Sequence, residues 1–225
     1  MTIYLRLLFC LSFVFCSQIF AWELEKEDEG IRVYTEKREG SEFKAFRADM
    51  TLDAGLRQIA AQLMDVESMK DWLHDCSESE LISRLDGQEY IVYQKTAAPW
   101  PVDDRDYILR SKVSQNPESL VVELNFSALS EVGETNDECV RVTELKGFWR
   151  MTPLTVSRTY LEYETHADPG GSLPSWLANS FVVDQPFNTL KNLRQRVQEN
   201  STYDAQALSF IQQAIEDPNS EKASP

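Results

Sequence analysis

The sequence has 225 residues, a length typical of a single domain that buries one large core. Asp and Glu outnumber Lys and Arg by 37 to 22, which gives a formal net charge of −15. A surface this acidic repels nucleic acids and anionic lipid headgroups at long range. The composition therefore argues against a DNA or RNA partner and against permanent residence on an anionic membrane.

The first 21 residues, MTIYLRLLFCLSFVFCSQIFA, are typical of a secretory signal peptide. They contain one cation, Arg6, then an apolar run over residues 7–15, a polar break and a final small residue, Ala21. The run is short for a membrane span, although an uncleaved N-terminal anchor stays open as the alternative. We expect export to the periplasm of a bacterium, with the extracellular space as a second possible destination.

Four cysteines occur in the chain, and two of them, Cys10 and Cys16, would leave with the signal peptide. Cys76 and Cys139 would remain in a compartment that permits disulfides. Their spacing matches no metal or redox motif, so one disulfide and two free thiols both stay open.

The N-terminal part of the domain alternates between apolar and polar residues, which predicts strands over 30–39 and 43–52. Asp53 is expected to cap a helix over residues 54–73. The apolar positions of this helix recur at helical spacing: Leu56, Ile59, Ala60, Leu63 and Met64.

Six further strands follow, separated by short breaks that suit antiparallel neighbours and leave no room for helical crossovers. They are predicted over residues 79–85, 89–97, 105–113, 119–129, 138–151 and 157–167. A long helix over residues 175–200 closes the domain. This order predicts an α+β fold, a curved antiparallel sheet whose concave face is covered by helix. Where inward side chains do not meet the helix, the gap is a cavity.

Residues 201–225 are expected to form a short amphipathic helix followed by a disordered polar tail. The apolar positions of the helical piece are Leu208, Ile211 and Ile215. The domain itself is thus expected to span residues 22–200.

The loop after the last strand, DPGGSLP over residues 168–174, contains glycine and proline but no chemical motif. It lacks the lysine and glycine spacing of a phosphate-binding loop and the G-x-S-x-G of a nucleophile elbow. We expect it to aim the helix that follows, with Ser172 as a cap and Pro174 in the first turn. Pro186 then either kinks that helix or marks two helices that meet at Gln185.

Three stretches of the chain resemble the START family of lipid-transfer domains. They are PWPVDDRDYILR (residues 99–110), ECVRV (138–142) and YETHADPGGSLPSWLANSF (163–181). The similarity runs in register from about residue 30 to residue 198. Within short stretches, the residues most resemble those of the phosphatidylcholine-transfer branch. It implies a helix-grip fold in which the sheet wraps around the long C-terminal helix and encloses a hydrophobic cavity for one lipid or sterol. It also implies a gate formed by that helix and the loop over residues 129–137, with no cofactor and no catalysis.

Sterol-binding members of the family bury an arginine six residues after the arginine of the RD pair, opposite an acid on the neighbouring strand. The corresponding positions here are Ser111 and Gln94, both neutral. Because a buried charge without its partner is costly, losing both together is consistent. The resemblance therefore implies either a ligand contact through Ser111, Gln94 and tyrosine hydroxyls or a mainly apolar cavity.

Strand parity places Tyr107, Leu109, Ser111 and Val113 on one face, which we interpret as the cavity face. Each of these residues can equally belong to the packed core. Further cavity candidates on the later strands and the closing helix are Leu124, Phe126, Trp149, Trp176, Asn179, Phe181, Val183, Phe187 and Leu190.

Charged pairs at a strand start more often stabilise structure than bind substrate. We therefore interpret Arg105 and Asp106 as a structural pair, with Arg141 as the partner of Asp106 or of Glu162.

Catalytic or metal chemistry finds little support in the sequence. The two histidines, His74 and His166, are too few for a typical zinc site. His74-Asp75-Cys76 has the composition of a triad, but adjacent residues point apart and are not expected to form a relay.

Two functions follow. The first is a non-enzymatic monomeric carrier for a lipid or sterol-like molecule, with transient membrane contact through an apolar patch near the gate. The second is an enzyme that acts on a hydrophobic molecule in the same cavity. The enzyme would need convergent ionisable groups, for which Arg47, Asp49 and Glu123 are the candidates.

Overall fold

The computed structural model describes residues 21–130, 138–199 and 208–213. Nearly all of the predicted signal peptide lies outside the described residues, so its export role stays a prediction. Most of the predicted gate loop (131–137), Ile215 and the polar tail also lie outside them.

The described residues contain ten strands, three α-helices and one 3-10 helix. The strands are β1 (Glu23–Asp28), β2 (Ile31–Lys37), β3 (Lys44–Leu52), β4 (Cys76–Arg84), β5 (Glu89–Thr96), β6 (Asp104–Gln115), β7 (Val122–Ala128), β8 (Cys139–Arg141), β9 (Glu144–Thr155) and β10 (Arg158–Asp168). The helices are α1 (Leu56–Met64), α2 (Ser175–Phe181) and α3 (Asp184–Glu199), with the 3-10 helix over Val66–Asp71.

All ten strands belong to one sheet. Nine run in the order β1-β2-β3-β10-β9-β7-β6-β5-β4, and each pairs antiparallel with its neighbours. β8 pairs parallel to residues 104–106 of β6, beyond the point where β7 ends. α3 packs against β2, β3 and α1 on the inner face of the sheet. The predicted α+β helix-grip fold is confirmed.

Two strands differ from the sequence prediction. β1 was not predicted because its sequence, ELEKED, is charged and largely exposed and so shows no alternation. The single strand expected over 138–151 is two strands, β8 and β9, which bond to different partners. Periodicity cannot reveal such a change of partner, because both pieces alternate in the same way.

The helix predicted over 54–73 ends early. α1 buries Leu56, Ile59, Ala60 and Leu63 against the core, at the predicted spacing. Its N-cap residue is Gly55 rather than Asp53. A β-carbon at position 55 would lie only 2.6 Å from the carbonyl oxygen of Val156, so the site requires glycine. The helix then ends at Met64, and the 3-10 helix follows.

The long closing helix predicted over 175–200 is also divided. α2 and α3 are separated by a turn at Val182-Val183, three residues before Pro186. Pro186 lies in the first turn of α3, where its missing N–H would have no helical acceptor in any case. The alternative of two helices was therefore correct, but their junction precedes Gln185.

The segment over residues 208–213 is a turn that packs into the core rather than a helix. Leu208 and Ile211 are buried, and the Nε of Arg57 donates a hydrogen bond of 2.7 Å to the carbonyl of Ile211. The side-chain amide of Gln115 donates to the backbone carbonyl of Gln212 and accepts from its backbone N–H. These described residues thus complete the domain core.

Cys76 and Cys139 are both free thiols. In the sheet register, Cys76 on β4 pairs with Thr96 on β5, and Thr96 pairs with Arg105 on β6. Cys139 on β8 pairs with Asp104, the residue next to Arg105. Three strand spacings, about 14 Å, therefore separate the two cysteines. A disulfide needs α-carbons within about 7 Å, so this fold does not permit one between them.

A buried ion pair attaches β8 to β6. Asp106 is fully buried, and both of its carboxylate oxygens accept hydrogen bonds of 2.9 Å from Nε and Nη2 of Arg141. These bonds raise the pKa of Arg141. Glu162, the other possible partner, instead faces Arg150 at 3.6 Å. Arg105 takes no part in the pair, because neighbouring residues of a strand point to opposite faces.

Replacing Arg141 by Met should lower the free energy of unfolding by about 3 kcal/mol, because the Asp106 carboxylate would stay buried without a counter-charge. Arg158→Met is the matched control. Arg158 contacts Asp53 at 3.5 Å across an exposed surface, and its loss should cost less than about 0.5 kcal/mol. Urea unfolding at neutral pH measures both. Equal, small losses would show that the buried pair does not hold β8.

Candidate functional site

A large cavity lies between the inner face of the sheet and α2. We call it the main cavity; its volume is about 940 Å³, and it is partly open to solvent rather than enclosed as expected. Its lining is more apolar than polar, and its roof consists of Ala178, Asn179 and Phe181 of α2. None of the residues of α2 is fully buried, so this helix covers the cavity without being packed into the core.

A second, small cavity adjoins the main one deeper in the domain. We call it the deep cavity; its volume is about 70 Å³. The two cavities share part of their walls. The residues that line both are Tyr107, Leu145, Tyr163, Thr165 and Gln185.

The structure places most of the candidate residues from the strands at the deep cavity. From the closing helices, Asn179 and Phe181 line the main cavity, as does Tyr107 from β6. The strand candidates that line the deep cavity are Gln94, Tyr107, Leu109, Ser111, Leu124, Phe126 and Trp149.

Five candidates line neither cavity. Val113 and Leu190 are buried in the packed core, and Phe187 lies beneath the Nζ of Lys26, which is 3.8 Å from its ring centre. Val183 packs against the core at the junction of α2 and α3. Trp176 points outwards and is 72% exposed. Parity gave the correct face for Val113, but it could not show that this end of β6 is covered by packed side chains.

Sequence reasoning missed several lining residues. Tyr163, Thr165 and Ala167 alternate along β10 and face inwards, so the same parity argument applied to β10 would have found them. Gln185 and Asn188 reach the main cavity from α3. No local signal marks these two, because their role depends on where α3 crosses the sheet.

Aromatic rings form a rigid wall at the deep cavity. Tyr163 stacks on Trp149 with ring centres 3.8 Å apart, and Trp72 and Trp149 pack in a T-shaped arrangement with ring centres 6.1 Å apart. Gly147 lies opposite Phe126 on the neighbouring strand, where a β-carbon would come within 2.5 Å of the phenyl ring. The glycine therefore allows the Phe126 ring to lie flat against the sheet.

The polar groups at the deep cavity are neutral. Gln94 donates hydrogen bonds to Sδ of Met69 at 2.9 Å and to Oγ of Ser79 at 3.4 Å, and Ser111 is buried nearby. The hydroxyl groups of Tyr107 and Thr96 are hydrogen-bonded to each other. Burial raises the pKa of Tyr107, so its hydroxyl stays protonated at neutral pH. Among the described residues, no Asp, Glu, Lys, Arg or His lines this cavity.

Charged groups stand instead at the rim of the main cavity. Lys26 and Asp184 form an ion pair at 3.3 Å. His74 and Asp75 also meet, with Nε2 and Oδ2 3.5 Å apart, although adjacent residues were expected to point away from each other. The positive φ of 60° at Asp75 brings the two side chains together.

The third member of the suspected triad does not join them. The thiol of Cys76 donates to the carbonyl of Glu78 at 3.2 Å, and burial raises its pKa to about 11. It is therefore a protonated thiol directed away from His74, and the three residues form no relay.

The ionisable candidates for an enzyme face away from both cavities. Asp49 pairs with Arg32 at 2.7 Å, and Glu123 pairs with Arg150 at the same distance. The guanidinium of Arg47 lies 4.7 Å above the ring of Trp22. These groups stabilise the outer face of the sheet.

The loop over residues 168–171 fixes where the roof begins. The backbone N–H of Gly170 donates to Oδ1 of Asp168 at 2.9 Å, and Gly170 and Gly171 have positive φ angles of 65° and 67°. Arg105 donates to the carbonyls of Pro169 and Gly170, at 3.3 and 3.5 Å. Arg105 thus holds this loop and also lines the main cavity.

The roof is held at two ends. Val140 of β8 lies 3.3 Å from the point that a β-carbon on Gly170 would occupy, so β8 supports the loop from below. On the other side, Asn179 accepts from the backbone N–H of Lys44 at 2.9 Å and donates to the carbonyl of Glu42 at 3.2 Å. Pro174 is the N-cap residue of α2, and the expected cap at Ser172 is not formed.

No helix among the described residues is long and apolar enough to cross a membrane. The same residues contain no group of three or more His, Cys, Asp or Glu side chains arranged to hold a metal ion.

A curved antiparallel sheet around a C-terminal helix, with an internal cavity beneath a short covering helix, defines the helix-grip class of domains. The sequence profile of the START domain matches residues 15–202, and the chain belongs to this family.

Relatives support the same assignment. An uncharacterised protein of Pseudomonas aeruginosa is 36% identical over 173 residues, which are 77% of this chain and 85% of that protein. Human phosphatidylcholine transfer protein is 27% identical over 186 residues, 79% of this chain and 84% of that protein. The crystal structure of a STAR-related lipid transfer protein from Xanthomonas axonopodis superposes with a TM-score of 0.73 at 34% identity, covering 79% of this chain and 98% of that one.

Proposed function

We propose that this START domain is a non-enzymatic carrier that takes up one lipid or other hydrophobic molecule in the main cavity and transfers it between membranes. The observation that carries the proposal is the cavity of about 940 Å³, whose size and largely apolar lining suit a lipid-sized ligand. Two relatives, a phosphatidylcholine transfer protein and a STAR-related lipid transfer protein, are named for lipid transfer, which is consistent with the proposal.

The distribution of charge favours a carrier over an enzyme. General acid–base catalysis requires an ionisable group within hydrogen-bond distance of the reacting atoms. The described side chains at the deep cavity carry no charge, and the pairs Lys26–Asp184 and His74–Asp75 of the main cavity are partly exposed to solvent. His74 and Asp75 have no nucleophilic thiol beside them, because the Cys76 thiol bonds Glu78.

The route into the cavity is proposed to open at α2. This helix is anchored through the loop over residues 168–171 and through Asn179, and a turn at Val182-Val183 separates it from the packed α3. α2 can therefore move about this turn while α3 stays in the core. The movable element is α2 rather than a helix kinked at Pro186.

The ligand cavity is tested by filling it. Ala167→Phe adds a ring on the inner face of β10, and it should lower lipid uptake from phosphatidylcholine vesicles by about tenfold or more because the added ring occupies ligand volume. Thr51→Phe adds the same ring on the outer face of β3 as the control. Native mass spectrometry of the purified chain counts bound lipids and also reports whether it is the proposed monomer. Full uptake by Ala167→Phe would place the ligand elsewhere.

Membrane contact is proposed at the cavity opening. Trp100, in the loop after β5, is 92% exposed, and Trp176 of α2 is 72% exposed. Their neighbours Pro99, Val102 and Leu173 line the main cavity, so both indoles flank its mouth. Tryptophan suits the membrane interface because its ring is apolar with one polar N–H. Two such rings provide an apolar contact that the acidic surface, repelled by anionic headgroups, cannot provide through charge.

Trp100→Ala and Trp176→Ala should each slow lipid transfer between vesicles by roughly tenfold, since burying an exposed indole is worth on the order of 1–2 kcal/mol. The control is Leu85→Ala. Leu85 is 52% exposed and directly follows the last residue of β4, at the end of that strand opposite to Cys76. Transfer rates are measured by dequenching of a fluorescent phosphatidylcholine, with bound lipid counted separately. Rates that stay at the wild-type value would move the docking surface away from the mouth.

We also propose that residues 1–21 direct export to the bacterial periplasm and are then removed. The support is the order of Arg6, an apolar run and a small residue at Ala21. Mass spectrometry of the protein from the periplasmic fraction of its host should find Trp22 at the N-terminus. A chain that keeps residues 1–21 and sediments with membranes would instead be anchored.

A further inference from the structure

A groove of about 1020 Å³ lies on the outer face of the sheet. We call it the outer groove. Its polar side chains on β6, β7, β9 and β10 alternate with the residues of those strands that face the two cavities. Among them are Arg110, Lys112, Asn125, Ser127, Lys146 and His166. The proposed carrier function uses none of these side chains.

The strand register arranges three cations around two neutral hydrogen-bonding groups. Ser127 on β7 pairs with Arg110 on β6 on one side and with Lys146 on β9 on the other. Two residues along the same face of β7, Asn125 pairs with Lys112 of β6. Since neighbouring strands are about 4.8 Å apart, the α-carbons of Arg110 and Lys146 lie about 10 Å apart. The two long side chains therefore flank a floor made of Ser127 and Asn125.

One buried carboxylate holds two of these cations. Glu89 on β5 is 7% exposed, and its oxygens contact the guanidinium of Arg110 and, at 3.5 Å, the Nζ of Lys112. Lys146 is exposed and forms no ion pair with the carboxylates of the described residues. Three cations and one carboxylate leave a formal charge of +2 at this end of the groove. The chain as a whole has a net charge of −15, so this local excess runs against its composition.

The opposite end of the outer groove has no such excess. There Arg38 contacts two carboxylates, Glu36 at 2.9 Å and Glu164 at 2.8 Å. Lys37 and Glu39 also line this end, and their charges offset each other. An anion is therefore expected at the end formed by β6, β7 and β9.

The histidine of the groove adds no charge at neutral pH. His166 pairs with Lys146 across β10 and β9. Burial lowers the pKa of His166, a hydrogen bond to the backbone of Phe43 opposes that shift, and the positive charges of Arg38 and Lys146 lower the pKa further. The imidazole is thus neutral, and the charge of +2 belongs to the lysines and arginine alone.

Charge and donor geometry at this end suit a phosphate monoester. Such a group carries a charge of about −1.5 to −2 at pH 7 and has three strong acceptor oxygens. Guanidinium and ammonium groups donate charge-assisted hydrogen bonds to phosphate, and the hydroxyl of Ser127 and the amide of Asn125 can donate from the floor. A carboxylate, with one charge and two oxygens, would use fewer of these donors.

We infer that the outer groove binds the phosphate group of a small, soluble phosphate monoester between Arg110, Lys112 and Lys146. The groove is larger than a phosphate, so the organic part of the molecule extends along it towards β2. This site is separate from the carrier function, because it lies on the face of the sheet opposite to the cavities.

Position favours a soluble phosphate over a lipid headgroup. The proposed membrane contact lies at the cavity mouth, beside Arg105 at the start of β6. Lys112 follows Arg105 by seven residues of the same strand, a distance of about 23 Å. A membrane held at the mouth is therefore far from the outer groove.

The test is a titration of the purified chain with glycerol 3-phosphate, followed by heteronuclear NMR at low salt. Backbone amides of β6, β7 and β9 around Ser127 should shift, with a Kd of about 1 mM or lower. Glycerophosphocholine, a phosphodiester with a single negative charge on its phosphate, should bind at least about tenfold more weakly, because it loses one charge and one acceptor oxygen.

Three charge-matched variants locate the site. Lys146→Gln and Lys112→Gln should each weaken binding of glycerol 3-phosphate by about fivefold or more, since each removes one charge from the phosphate end. Lys146 makes no ion pair with a described carboxylate, so its replacement should leave the urea midpoint unchanged. Lys37→Gln is the control: it removes the same charge from an exposed position at the other end of the same groove and should change the Kd by less than about twofold.

Each contrary outcome overturns a defined part of the inference. Absence of shifts, or an equal effect of Lys37→Gln, would show only a diffuse attraction of anions and overturn the site. Equal binding of the phosphodiester would overturn the choice of a monoester. Flotation with phosphatidylcholine vesicles that contain phosphatidic acid tests the source: vesicle binding that Lys146→Gln abolishes, without binding of glycerol 3-phosphate, would overturn the soluble ligand in favour of a lipid headgroup. Lipid uptake by the main cavity is measured separately and stands or falls independently.

Discussion

The ion pair between Asp106 and Arg141 supports the whole roof of the cavity. It attaches the three-residue strand β8 to the start of β6, where β7 no longer reaches. β8 presents Val140 to the glycines of the loop that precedes α2, and Arg105 holds the carbonyls of the same loop. Arg105 and Asp106 are consecutive residues of β6 and point to opposite faces of the sheet. Both help to position α2, Arg105 through the loop and Asp106 through β8. A fully buried carboxylate is tolerable only because both of its oxygens are bonded.

The closing helices divide support and access between them. α3 fills the concave face of the sheet with buried apolar side chains, whereas α2 has none that is fully buried. A helix that contributes little to the core costs little to displace, which is why α2 rather than α3 is the element that we propose to move. The same break explains how Pro186 is accommodated, since the first turn of a helix has no bond for proline to remove.

The two cavities differ in charge. Charged side chains line the main cavity, whereas aromatic, aliphatic and neutral polar side chains line the deep cavity. Ser111 and Gln94, at the positions where sterol-binding relatives would carry a charged pair, lie at the deep cavity. No ionised side chain among the described residues lines that end, so the polar groups there are neutral.

The sequence by itself determined the positions of most strands along the chain, the fold class and the family, because alternation, short breaks and the DPGG loop are local properties of the chain. It also determined which face of β6 points inwards. The tertiary structure alone decided that Val113 and Leu190 belong to the core while Ser111 and Phe126 border a cavity, and that Asp106 pairs with Arg141. Periodicity reports the direction of a side chain, whereas its role depends on which distant element covers it, and no short stretch of sequence contains that information.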